Sequence, residues 1–238
     1  MQRNNNSLYI TSKKAFNKNN KFNAEIIKKV FDFSYSMTFG SDGEHRNYRS
    51  GGTHHRRKSE IFCDTFQGKL SEYAIYETFK NKYQLTEPDL ECYELGKWDQ
   101  FDFYMNDKIV SVKSTKHFGN LLLLETKDWT SDGEYIPNQN EKVDYTFLVR
   151  INDELTSLLK FKRMYYSDYI DKNELWDMIK DLNFCYDIAG YITRDDLIYL
   201  ISNNFIIKQG EILNGTTRMD AENYYCQAGD MKDINDLL

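Results

Sequence analysis

Proline is nearly missing from this chain: Pro88 and Pro137 are the only two in 238 residues. Cysteine is also sparse. Cys63, Cys92, Cys185 and Cys226 lie far apart, with no CxxC pair and no Cys/His cluster. A structural zinc site is therefore not expected. Thiols spread this thinly fit a reducing cytoplasm, where they pack as small hydrophobes. No run approaches the roughly 18 continuous apolar residues of a membrane span. Residues 1–20 are polar and basic with no apolar segment behind the charges, so a secretory signal is not expected either. Neither GxGxxG nor GxxxxGK[ST] occurs, which removes the two common glycine-rich phosphate cradles.

What is present suits a globular protein. Hydrophobic residues make up 40% and charged residues 29%, which is ordinary for one domain, or one domain with an appendage. A chain of this length buries about two-thirds of its unfolded surface. The net charge of −6 argues against a strongly basic nucleic-acid coat protein. Its distribution says more. Residues 1–58 carry 12 basic and 4 acidic side chains, a net of +8. The remaining 19 basic and 33 acidic residues give −14. Such a split suggests a polyanion-binding segment on an acidic body.

Patterning gives the order of elements. Residues 1–20 read as a flexible or loosely docked arm. Ile26, Ile27, Val30 and Phe31 recur at helical spacing in a helix over 23–33. A Gly/Ser/His/Arg loop follows over 40–58. A second helix is expected over 60–82, with Phe62, Phe66, Leu70, Tyr73 and Glu77 on one side. Strand-like segments come next: ECYEL, FDFYM, KIVSVKS and NLLLLET, then DYTFLVRI over 144–151. Helices over 173–182 and 193–202 begin at plausible caps, Asn173 and Thr193. NFIIKQGEIL suggests a short hairpin, and YYCQAGD (224–230) reads as core and loop. The expectation is an α/β (α+β) fold: a mixed central sheet with an antiparallel meander, flanked by helices.

The stretch Trp98 to Thr115 concentrates the chemistry. Asn106-Asp107 is a natural two-residue turn. It pairs Met105 with Lys108, Phe103 with Val110 and Asp102 with Ser111. Side chains alternate along strands. Asp102, Ser111 and Lys113 then share one face, while Phe103, Val110 and Val112 take the core face. Asp102 lies opposite Ser111 and diagonal to Lys113. A cross-strand surface salt bridge, worth little, is the bland alternative for that pair.

Asp102-x8-Ser111-Val-Lys113, preceded by a helix carrying Glu72 in GKLSEYAIYETF, resembles the PD-(D/E)XK nuclease superfamily. The resemblance covers about residues 67–129, and the order of parts is similar to that of many type II restriction endonucleases. It implies a restriction-endonuclease-like core and a Mg²⁺ ion held by acidic residues. Asp102 would be one metal ligand, with Glu72 or Glu125 as the second. Lys113 would sit beside the scissile phosphate. Ser111 occupies the family's middle acidic position. Glu125, at the end of LLLLE, is the candidate replacement for the missing carboxylate. Pro88-Asp89 and Asp99 compete with Asp102 for the aspartate role.

A second feature is the basic loop containing Arg46, Arg49, His54, His55, Arg56, Arg57 and Lys58. Arginines and backbone N–H groups can hold phosphates, and arginine can read guanine edges. Ser114, Thr115, Lys116 and His117 follow Lys113 and are placed to meet a DNA backbone. The expected organisation is a DNA-contacting appendage over 1–58 and a catalytic domain over 59–238. The expected activity is Mg²⁺-dependent, site-specific cleavage of double-stranded DNA, in the manner of a type II restriction enzyme, with a homodimer implied by palindromic recognition. The rivals are a repair or recombination nuclease, a non-catalytic DNA-binding protein on a decayed nuclease scaffold, and a plain interaction protein.

Overall fold

The computed structural model describes residues 1–40, 55–91, 102–152 and 154–238. Two short strands, β1 (Gln2–Asn4) and β2 (Ser7–Tyr9), open the chain, and β3 (Asn20–Lys21) follows. Helices α1 (Ala24–Phe39) and α2 (Lys58–Phe79) come next. Then come β4 (Phe103–Met105), β5 (Lys108–Lys116), β6 (Leu121–Glu125) and β7 (Tyr145–Ile151). Helices α3 (Glu154–Phe161) and α4 (Lys172–Ile179) precede β8 (Cys185–Thr193) and α5 (Arg194–Ser202). The chain closes with β9 (Ile206–Ile207), β10 (Ile212–Leu213), β11 (Thr217–Arg218) and β12 (Asn223–Gln227). This is an α+β architecture with mixed sheets, as expected. No helix among the described residues is long and apolar enough to cross a membrane.

The central sheet has the order β3-β8-β7-β5-β4. β4 and β5 form the expected antiparallel hairpin, with Phe103 opposite Val110 and Met105 opposite Lys108. Asn106 takes the left-handed backbone at φ 53°, a conformation asparagine tolerates better than most residues. The meander ends there. β5 next pairs in parallel with β7. β6 leaves for a second sheet of order β6-β12-β9. A parallel neighbour needs a crossover, and residues 117–144 supply it by way of that second sheet.

The two faces of the central sheet meet different partners. Val110, Val112, Phe147, Val149 and Ile151 join the large cluster under α1 and α2. Leu148, Ala189 and Ile192 face Leu122, Leu124, Cys226, Leu197 and Leu200, so the second sheet and α5 cover the opposite face. α2 is buried on several sides, with Phe62, Phe66, Leu70, Tyr73, Ile75 and Phe79 all at 3% exposure or less. It is therefore a central helix rather than an amphipathic one. The Asn23 side chain caps α1 by accepting from the Ile26 N–H at 2.8 Å.

Several expectations are corrected. β8 lies over a stretch where no strand was expected, and α3 was not expected either. α4 is capped by Asp171, which accepts from Asn173 and Glu174, not by Asn173. The strands of NFIIKQGEIL do not pair with each other: β9 joins β12, while β10 joins β2 and β11. YYCQAGD holds most of β12 rather than loop.

The arm over 1–20 is docked along its length. Gln227 Oε1 accepts from the Thr11 N–H at 2.9 Å, Asn120 Oδ1 from the Lys14 N–H at 2.8 Å, and Asp187 Oδ2 from the Asn17 N–H at 2.8 Å. Lys58 is the first residue of α2, and α1 shares its core with α2. The described part of segment 1–58 is thus built into the same body as the rest.

Candidate functional site

The hairpin register brings Asp102, Ser111 and Lys113 to one face. Phe103 and Met105 are buried in the cluster under α2, so Asp102 alternates to the opposite side. Val110 and Val112 do the same for Ser111 and Lys113. All three are partly exposed. Asp102 Oδ2 accepts from the Val112 N–H at 2.5 Å. This bond fixes the carboxylate at the mouth of the hairpin, between Ser111 and Lys113 in sequence. Lys113 makes no ion pair among the described residues. On the far side of β5, Ser111 neighbours Thr146, Lys113 neighbours Leu148, and Thr115 neighbours Arg150.

The two glutamates expected to complete the site lie elsewhere. Glu72 sits on α2, which covers the Val110/Val112 face. Its carboxylate pairs with Lys69 at 2.7 Å, both side chains being about one-eighth exposed. Glu125 ends β6, which is not a neighbour of β5. Leu122 and Leu124 point toward the central sheet, so Glu125 alternates away with Leu121 and Leu123. It pairs with Lys127 at 2.9 Å. Among the described residues no three His, Cys, Asp or Glu side chains gather as a metal site. Asp89 accepts from the Glu91 N–H at 2.8 Å in the turn after Pro88. Asp99 lies outside the described residues.

The expected DNA contacts divide similarly. Arg46, Arg49 and His54 lie outside the described residues. Arg56 holds Asp64 at 2.8 Å, and Arg57 holds Asp168 at 2.6 Å. His55, Arg57 and Lys58 are exposed. Ser114 faces α2 and accepts from Gln67 Nε2 at 3.1 Å. Thr115 and Lys116 finish β5. The His117 ring lies against Phe16 and Phe118, with centroids 5.7 and 5.2 Å away. Its Nδ1 is buried without a hydrogen-bond partner among the described residues. A hollow of about 10 Å³, room for one water, lies on the α2 side between Cys63, Gln67, Asn152 and Phe184, away from Asp102 and Lys113.

Sequence reasoning missed Arg150 and Asp187. Arg150 is completely buried. Its Nε and Nη2 donate to Asp187 at 2.8 and 2.6 Å, and its remaining N–H groups reach the carbonyls of Lys14 and Ala15 at 2.7 and 2.8 Å. An arginine inside the apolar run YTFLVRI was the available signal, because buried arginine requires a partner.

Comparison with known proteins gives no name to this arrangement. No family model matches the chain, and no curated protein or solved structure matches it.

Proposed function

We propose that this protein is a Mg²⁺-dependent deoxyribonuclease acting on double-stranded DNA, with its reactive centre on the β4–β5 hairpin. The observation that carries the reading is the register that sets Asp102 beside Ser111 and Lys113 on one partly exposed face. A carboxylate, and a lysine that makes no ion pair among the described residues, supply the two charges that phosphodiester hydrolysis needs. Mg²⁺ takes oxygen ligands, keeps several waters, and is commonly bound by one or two carboxylates together with substrate phosphate. The donor set fits that arrangement: Asp102 would hold the ion, with Oδ2 fixed by the Val112 N–H. A bound Mg²⁺ would polarise the phosphoryl oxygens and lower the pKa of a coordinated water. Lys113 would neutralise charge on the phosphoryl oxygens and orient the attacking water. Ser111, on the same face, can donate to a phosphate oxygen. A net of +8 over residues 1–58 against −14 over the rest would draw DNA to the basic segment and repel it elsewhere. Site specificity and a two-fold dimer, as in type II restriction enzymes, belong to the same proposal through the resemblance alone.

A second reading has a specific observation behind it. Ser111 stands at the acidic position, and Glu72 and Glu125 lie on other surfaces. A DNA-binding protein without cleavage would look the same. Plasmid cleavage separates the two. Purified protein is incubated with unmethylated DNA of mixed sequence and Mg²⁺, beside Lys113→Ala and EDTA controls. Discrete fragments that vanish in both controls are expected. Intact DNA with every divalent metal tried, together with retained salt-sensitive DNA binding, would overturn cleavage in favour of the second reading.

A further inference from the structure

An exposed aromatic and cationic platform lies far from Asp102 in sequence. The segment Lys160-Phe161-Lys162-Arg163-Met164-Tyr165-Tyr166-Ser167-Asp168-Tyr169 runs from the end of α3 toward α4. Phe161 is 83% exposed, Tyr169 70% and Tyr166 64%. With Phe118 they are the four most exposed large hydrophobics among the described residues, and these three fall within nine residues. Exposing aromatic rings forfeits burial free energy, and single exposed side chains are ordinary. Three together, interleaved with Lys160, Lys162 and Arg163, form a pattern.

The segment is held in place rather than loose. Arg163 takes the left-handed backbone at φ 59°, and the Met164 N–H closes on the Leu159 carbonyl at 2.8 Å, as in a helix C-cap. Tyr165 packs on the main core and lies under Lys160 at 4.8 Å. Ile170 is buried at the other end. The middle is pinned to the start of α2: the Ser59 N–H and Oγ–H both donate to the Ser167 carbonyl, at 3.0 and 2.9 Å. Asp168, the one acid of the stretch, is neutralised by Arg57 at 2.6 Å. The exposed cations Lys160, Lys162 and Arg163 alternate with the rings along the segment, and Arg57 and Lys58 meet it at Asp168. Lys162 and Arg163 make no ion pair among the described residues.

Location adds a second observation. Gln67 meets Ser114, Phe66 meets Phe184, and Phe79 meets Phe147. α2 thus runs antiparallel to β5, so its first turn lies toward the carboxyl ends of β5 and β7. The platform sits at that same end of the sheet, where α3 follows β7.

We infer that the Lys160–Tyr169 segment, with Arg57 and Lys58, binds an unpaired stretch of a nucleic-acid strand. Bases stack on exposed aromatic rings whatever their identity, and neighbouring cations track the phosphates. Paired bases present no free face to such rings, so duplex alone would use the cations and leave the rings idle. This inference does not need the hairpin to be catalytic.

The test is fluorescence anisotropy of the full chain in EDTA, so that no cleavage contributes. The probes are labelled oligothymidylate, oligouridylate and a mixed-sequence duplex, each at low and physiological salt. The variant Phe161→Ser/Tyr166→Ser/Tyr169→Ser changes only exposed side chains, and circular dichroism checks its fold. Expected is single-strand binding weakened at least about tenfold by this variant, with duplex binding changed less than twofold. Lys160→Gln/Lys162→Gln should flatten the salt dependence. Preference for one of the two single strands identifies DNA or RNA as the source, and either supports the inference. Equal loss on duplex and single strand, or no loss on single strands, overturns it. So does binding of the rings to phosphatidylserine-containing vesicles with oligonucleotide affinity unaffected. Binding is read in EDTA on the ring variant, and cleavage in Mg²⁺ on the hairpin variants. A failure here is therefore distinct from a failure of the cleavage assay.

Discussion

Arg150 and Asp187 form a two-pronged ion pair in the interior, on adjacent antiparallel strands, with side chains 1% and 9% exposed. Two further arginine N–H groups, and one carboxylate oxygen of the aspartate, are satisfied by backbone of residues 14–17. The pair therefore ties the arm to the central sheet. Breaking a buried pair by removing one partner costs about 3–5 kcal/mol. Arg150→Met should lower the urea midpoint accordingly and make residues 11–19 the first site of limited proteolysis. A proteolysis pattern identical to that of the parent would show that the arm does not depend on this anchor.

Asp102→Asn separates charge from scaffold at the hairpin. The amide oxygen still accepts from the Val112 N–H, so stability should move by less than about 0.5 kcal/mol, as for ordinary surface changes. DNA cleavage should fall by at least about a hundredfold, as should that of Lys113→Ala. If Asp102→Asn cuts at the parental rate, the carboxylate is a strand cap and nothing more.

Glu87 gives a pH signature. The Tyr73 hydroxyl donates to its Oε1 at 2.9 Å, and Lys29 reaches the same oxygen at 3.2 Å. These two hydrogen bonds, Tyr73 first, outweigh burial and hold the Glu87 carboxyl below the ordinary glutamate range. Its contribution is then present above the unfolded value near 4.3 and is lost as pH falls through the lower folded value. Glu87→Gln should unfold more easily than the parent at pH 6, and the difference should vanish in strong acid. A gap that stays constant with pH would show that Glu87 acts through packing.

Gly190 allows a close approach that no other residue permits. A Cβ there would lie 2.7 Å from the Lys232 carbonyl oxygen and 2.7 Å from Met231 Cβ. The neighbouring Tyr191 exchanges backbone hydrogen bonds with Lys232. Gly190→Ala should cost about 1–3 kcal/mol by overpacking, read as a lower thermal midpoint. An unchanged midpoint would mean that the 231–232 segment moves aside freely.

The hairpin was readable because its signals are local: a turn dipeptide and strict alternation fix which residues face each other. Helices α1, α2, α4 and α5 showed through in the same way, with Thr193 as a cap three residues before Asp196, while α3 did not. β8 was not readable. Cys185 to Ile192 is buried throughout, so CYDIAGYI carries no polar alternation to betray a strand. The fate of β6 was hidden for a related reason: a run of four leucines faces apolar neighbours on both sides and does not say which strand it joins. The arm looked solvated because its backbone partners, Asn120, Arg150, Asp187 and Gln227, lie far along the chain. Of the candidate site, sequence placed Asp102, Ser111 and Lys113 together. It missed that Glu72 and Glu125 belong to other surfaces, since that depends on which layer each element enters. It also passed over the Phe161–Tyr169 rings, because a sequence does not distinguish an aromatic that is left outside.

The docked arm also constrains the order in which the molecule can be finished. Thr11 waits for Gln227, 216 residues away, and Lys14 for Asn120, 106 residues away. Those bonds can form only once both partners have been made. Loop closure of that length is a slow kind of step, and in the interval the Arg150 pocket is a charged opening in a half-built interior. A segment whose partners lie this far along the chain is seated only with them, and it then acts as a latch across the sheets.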